Sequence, residues 1–146
     1  MKGEIIPEID HVSRLCGGST LAEDGSVTAA AFMLKEDEAY LSVNWLEHLG
    51  LPNRDLQIAE IRRVMAVKFR RVGTTARLAV ANVGVTRSIV RNESSDSREL
   101  QCRHEPEVDP NKPDPSHSGI YNTHLDETSI AMLLSKSFSG DTYPAK

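Results

Sequence analysis

Two kinds of side chain in this sequence could do chemistry near neutral pH: histidines that move a proton and arginines that hold an anion. His117 stands in Asp114-Pro115-Ser116-His117-Ser118-Gly119-Ile120-Tyr121, at the exit of a stretch with four of the seven prolines, Pro106, Pro110, Pro113 and Pro115. Proline fixes φ and removes a donor, so residues 105–119 read as a stiff, extended loop. Such a loop presents an imidazole at low entropic cost, as general acid–base chemistry requires. Ser116 and Ser118 flank it, but a nucleophile–base pair is defined in space and not by adjacency. The plainer reading is a turn in which His117 and the hydroxyls satisfy backbone groups.

His11 and Arg14 form a second candidate, in Asp10-His11-Val12-Ser13-Arg14. Three residues apart on a strand, they face opposite sides, so they share a site only where the strand bulges or ends between them. Arg14 alternates with the apolar Val12 and Cys16 and is expected to point inward. An inward arginine needs a carboxylate or a bound anion, and a structural ion pair is the plainer choice.

Charge is segregated along the chain. Residues 61–92 contain no acid but eight bases, Arg62, Arg63, Lys68, Arg70, Arg71, Arg77, Arg87 and Arg91. The flanks, with nine bases against 21 acids, carry −12. Arg62, Arg63, Lys68, Arg70, Arg71 and Arg77 are therefore the expected contacts for an anion or partner, and phosphate binding through them would be strongly salt-dependent. Single-stranded nucleic-acid sites add stacking aromatics, and Phe69 is the one aromatic of this window. The plainer alternative is that the acidic flanks fold back and neutralise these cations.

Other chemistries have weaker support. Cys102, His104, His117 and His124 are metal-ligand types, and Cys102 and His104 share a strand face, but their spacing matches no compact zinc site. No metal and no cofactor is expected. There is no phosphate loop ending in Lys-Ser/Thr, dinucleotide fingerprint, nucleophile elbow or paired CxxC. Gly17-Gly18-Ser19-Thr20 follows a predicted strand, as anion loops do, but acidic Glu23 and Asp24 follow it and it reads as a plain turn.

The elements that must position these residues are short. Strands are expected at residues 4–6, 11–16, 40–43, 76–83 and 99–105, the last with Leu100, Cys102 and His104 on one side. The apolar run 26–35 reads as a buried strand, and 85–91 as a strand or a short helix. Asn44 is expected to cap a short helix over 45–49 with Gly50 at its C′ position, and Trp45 reads as a core anchor. Asn53 caps a longer helix over about 54–67, whose stripe is Ile58, Ile61 and Met65, widened by Leu56 and Val64. A last helix starts near Thr123 or Asp126, with Ile130, Leu133, Leu134 and Phe138 inward.

With 39% hydrophobic and 26% charged residues among 146, the chain reads as one globular domain. It is expected to span residues 1–138, with a flexible tail at 139–146. The fold class is α/β or α+β, a single mixed sheet with two to three packed helices. The N-terminus has no apolar run, and the longest apolar stretch, 29–34, is far short of the roughly 20 residues that cross a bilayer. A cytoplasmic protein with no membrane partner is expected, and Cys16 and Cys102 as two buried free thiols. The leading functional expectation is an accessory protein without catalysis, binding an acidic or protein partner or a second copy of itself. The alternative is a small enzyme on a phosphate-bearing nucleotide or RNA, with Arg14 and the basic segment holding the anion and His117 or His11 moving a proton. Nonspecific nucleic-acid binding ranks behind both.

Overall fold

The computed structural model describes residues 1–123 and 127–146. Short apolar alternations make short strands, and the six named ones are β1 His11–Cys16, β2 Leu41–Trp45, β3 Arg77–Asn82, β4 Gln101–His104, β5 His117–Tyr121 and β6 Thr142–Pro144. They form one sheet in the order β4-β5-β2-β1-β3-β6. Every pairing is antiparallel, so the parallel component expected from the interleaved order is absent among these strands. One sheet with three helices is an α+β fold, as expected.

Because side chains alternate, the sheet has two faces with separate cores. Val12, Cys16, Leu41, Val43, Ala79, Ala81, Cys102 and Ile120 face α2 Val83–Glu93 and α3 Glu127–Phe138. Phe32 joins them from the 3-10 turn Ala29–Phe32 and packs on Phe138 with ring centroids 4.9 Å apart. On the other face Leu15, Leu78 and Val80 pack against Ile58, Ile61, Val64 and Met65 of α1 Arg54–Lys68. Each fully buried side chain of this size contributes about 1.5–3 kcal/mol. This second core lies over β1, β3 and β6 only, so α1 covers half of its face.

Local chemistry explains the helix ends. The Asn53 side chain accepts from Leu56 N at 2.9 Å at the start of α1, and Asn82 accepts from Val85 N at 2.9 Å at the start of α2. Gly50 closes its short turn in the left-handed region, at φ 67°. Of the expected α1 stripe, Ile58, Ile61, Val64 and Met65 are buried, and Leu56 is exposed.

Several expectations change. The run 26–35 is not a strand: Thr28 caps the 3-10 turn Ala29–Phe32, which places the consecutive Ala31 and Phe32 in the core without any ladder partner. Asn44 is not a cap but a buried strand residue, because Trp45 continues the strand opposite Val12. Of the two forms expected for residues 85–91, the helix is the one found, since Val83, Thr86 and Val90 recur at helical spacing. The proline-rich loop ends before His117, which starts β5. The C-terminal residues are not a loose tail: β6 pairs with β3 and Ala145 is 2% exposed. The expected cap at Thr123 and Asp126 lies in part outside the described residues, as does His124. Both cysteines are free and buried. Among the described residues, no helix is long and apolar enough to cross a membrane.

Two predictions follow from packing. A Cβ on Gly119 would sit 2.4 Å from the Tyr40 ring, so Gly119→Ala must push that ring off β5. Urea denaturation should show a loss of about 1–3 kcal/mol, against little change for Gly140→Ala, where nothing lies within 4 Å. Burial raises the Cys16 thiol to about 11 and the Cys102 thiol to about 12. Both fold as neutral thiols, so their contribution is intact below the ordinary thiol range near 9 and is lost as pH rises through the folded values. The urea midpoint should fall between pH 8.5 and about 10.5, and Cys102→Ala should flatten that fall.

Candidate functional site

The sheet is joined at its middle by very little. β1 pairs with β3 over six residue pairs and β2 with β5 over four, but β1 and β2 meet only at Val12↔Trp45 and Ser13↔Asn44. Beyond Ser13 the ladder stops, and the backbone groups there need other partners. Arg14 supplies one: its Nη1 donates to Ser42 O at 2.7 Å and its Nε to Ala31 O at 2.6 Å. The Cys16 thiol donates to Arg14 O at 3.6 Å.

A cleft of about 530 Å³ opens where the ladder ends. Arg14, Leu15 and Gly17 line one wall, and Ser42, Asn44 and His117 the other. Met65, Lys68 and Phe69 at the end of α1 roof it, with Arg71, Val72 and Gly73 beyond, and Lys35, Glu38 and Glu107 complete the rim.

Asp114 anchors two of the cleft's lining residues. Its carboxylate is fully buried, accepting from Asn44 Nδ2 at 2.8 Å and from Lys68 Nζ at 2.7 Å. Asn44 Nδ2 also donates to Ser116 Oγ at 2.9 Å, and Lys68 makes a second ion pair with Glu107 at 2.6 Å. Burial works against the Lys68 charge, but the bonds from Asp114 and Glu107 outweigh it and hold the pKa above its ordinary value. This network ties α1, the proline loop and β2 together.

His117 is held by one nitrogen. Its Nδ1 lies 2.8 Å from Glu105 O, and a carbonyl only accepts, so Nδ1 carries the proton. In the neutral ring Nε2 is then the acceptor, and it has no hydrogen-bond partner among the described residues. The ring is 5.9 Å from that of Tyr40, which in turn is 5.0 Å from that of Tyr121.

Arg14 is the electrostatic anomaly. Neither the expected carboxylate nor any other acid pairs with it among the described residues; its two bonds go to carbonyls. Burial pulls its guanidinium below the ordinary value, against the attraction of the Glu38 carboxylate. A half-buried cation without a matched anion is less well solvated than in water, and its two hydrogen bonds to carbonyls leave the charge itself unbalanced. The cleft thus carries Arg14, Lys35, Lys68 and Arg71 against Glu38 and Glu107 on its walls.

The remaining expected site residues divide. His11 does not join the cleft: its Nδ1 sits 2.7 Å from Glu47 Oε2 and its backbone N donates to Glu47 Oε1. Of the eight bases, Arg63 pairs with Glu60, Lys68 with Glu107 and Asp114, Arg87 with Glu8 and Glu99, and Arg91 with Glu99. Arg62 and Arg77 bond Pro144 O and Thr142 Oγ1 on β6. Arg70 and Arg71 are exposed, without ion pair or hydrogen bond among the described residues. Cys102 and His104 share a buried face, as expected, but His117 faces the other way. Lys35, Glu38, Ser42, Asn44, Glu107 and Asp114 do not read as site residues in the sequence, where Asn44 reads as a helix cap. Asp114 alone carried a signal, an acid held between Pro113 and Pro115.

Removing the Asp114 carboxylate leaves Lys68 half-neutralised and Asn44 without its acceptor. Asp114→Ala should cost about 3–5 kcal/mol in urea denaturation, the range for breaking a buried ion pair from one side. A loss below about 1 kcal/mol would mean that the network is not what joins these elements.

Compared with known proteins, the chain matches no family model, no curated protein and no solved structure, so its function is read from the cleft itself.

Proposed function

We propose that the protein binds a small phosphate-bearing ligand in the cleft at the end of the β1–β2 ladder. The observation that carries this reading is Arg14, a half-buried guanidinium that lines the cleft and has no carboxylate partner among the described residues. A phosphate there would complete the charge balance and gain further donors from Lys35 and Arg71. The interaction-protein reading needs a continuous cationic face, and four of the eight bases are already engaged by carboxylates. A protein partner or a second copy therefore ranks behind the ligand. A cytoplasmic setting belongs to the same proposal, since two buried free thiols suit a reducing compartment.

A catalytic version is favoured by one observation, the unpartnered acceptor nitrogen of His117 on a cleft that also carries Arg14. In that version His117 Nε2 takes the proton of a water that attacks phosphorus, the P–O bond to the ester oxygen breaks, and the proton passes to that leaving oxygen while the cations hold the phosphate. His11 has no part in it, being bonded to Glu47.

Calorimetric titration with AMP and with inorganic phosphate should give saturable binding of AMP. Arg71→Ala and Lys35→Ala, both exposed positions, should each weaken it about tenfold, or about 1.4 kcal/mol. Absence of saturable binding by any phosphate compound tried, or binding indifferent to both substitutions, would remove the proposal. If the site is catalytic, His117→Gln should abolish turnover and leave AMP affinity within about threefold.

A further inference from the structure

A second depression of about 550 Å³ adjoins the cleft, and Phe69, Arg71 and Val72 line both. Its walls carry Arg62, Arg63, Arg70, Arg71 and Lys146, and no acid. Arg63 is partly neutralised by Glu60, but Arg70 and Arg71 are unpaired among the described residues. Between the two depressions Phe69 leaves 45% of its surface exposed, an apolar ring among cations.

Building on the phosphate-binding reading of the cleft, we propose that the two depressions are one elongated site for single-stranded nucleic acid. A terminal nucleotide occupies the cleft, the next base stacks on Phe69, and the following phosphates lie along Arg62 and Arg70. Three observations select this ligand. Every charged side chain that lines the second depression is cationic, as a polyanion requires. The exposed ring stands on the ridge between the depressions, where a splayed base but not a paired one can reach it. The cleft, at about 530 Å³, has room for one nucleotide and is far too narrow for a duplex.

The test compares AMP with 5′-phosphorylated oligothymidylates of two, four and eight nucleotides, by fluorescence anisotropy competition at 50 and 200 mM salt. Affinity should rise at least tenfold from AMP to the tetranucleotide, with a steeper salt dependence. Arg62→Ala with Arg70→Ala should remove that gain and leave AMP binding unchanged; thermal unfolding of the double variant checks that the fold is retained. Phe69→Ala should weaken the tetranucleotide by fivefold or more. If AMP binds but length adds nothing, or an octaglutamate peptide competes as well as the octanucleotide, the elongated site is wrong and the cleft reading stands. If neither AMP nor any oligonucleotide binds, both readings fall together.

Discussion

The structure turns on an interrupted ladder. Two residue pairs join β1 to β2, and past them one arginine takes up the role that strand pairing has given up. Arg14 starts from the α2 and α3 side of the sheet, bonds Ala31 O there, and reaches Ser42 O in the gap. A continuous ladder would close the gap and leave Arg14 no reason to be half-buried. An apolar residue in its place would leave the Ser42 carbonyl without its donor, at about 1–3 kcal/mol for a buried group. The same residue therefore holds the halves of the sheet at their separation and leaves a positive charge in the space between them.

What surrounds the gap makes it a site and not a defect. The Asp114 carboxylate, buried and accepting from Asn44 and Lys68, anchors the proline loop to β2 and to the end of α1. Prolines on both sides of Asp114 limit the freedom that this anchoring must remove. From there the chain enters β5 with His117 held at Nδ1 by Glu105 O, which fixes the tautomer. Tyr40 lies flat on Gly119, where any larger residue would collide with it, and this brings the ring beside His117. Cations, a neutral acceptor nitrogen and aromatic surface reach one place from five separate segments of sequence.

Some of this was legible in the sequence. Asn53 and Gly50 announced their turns because capping is local chemistry, and the period of Ile58, Ile61 and Met65 placed α1 within a residue of its observed end. The inward position of Arg14 followed from its alternation with Val12 and Cys16. The partner did not, because whether β1 continues to pair with β2 is decided by segments that are distant in sequence. Residues 26–35 misled because alanine-rich apolar runs carry no period, and Phe32 needed α3 to define its side. Residues 139–146 looked polar and loose, yet an edge strand needs few apolar side chains when β3 supplies its hydrogen bonds. The eight bases read as one block because sequence position says nothing about which carboxylate folds back; Arg63, Lys68, Arg87 and Arg91 found theirs, and Arg70 and Arg71 did not.

The most direct measurement is a nitrogen–proton NMR titration of the isotopically labelled protein with inorganic phosphate, observing side-chain resonances. The account expects the Arg14 Nε–H, the Asn44 Nδ2–H₂ and the His117 ring nitrogens to shift together and to saturate with one apparent affinity. Shifts confined to exposed lysines and arginines, with the Arg14 and His117 signals unmoved at saturating phosphate, would contradict it: the charge in the gap would then serve the sheet alone.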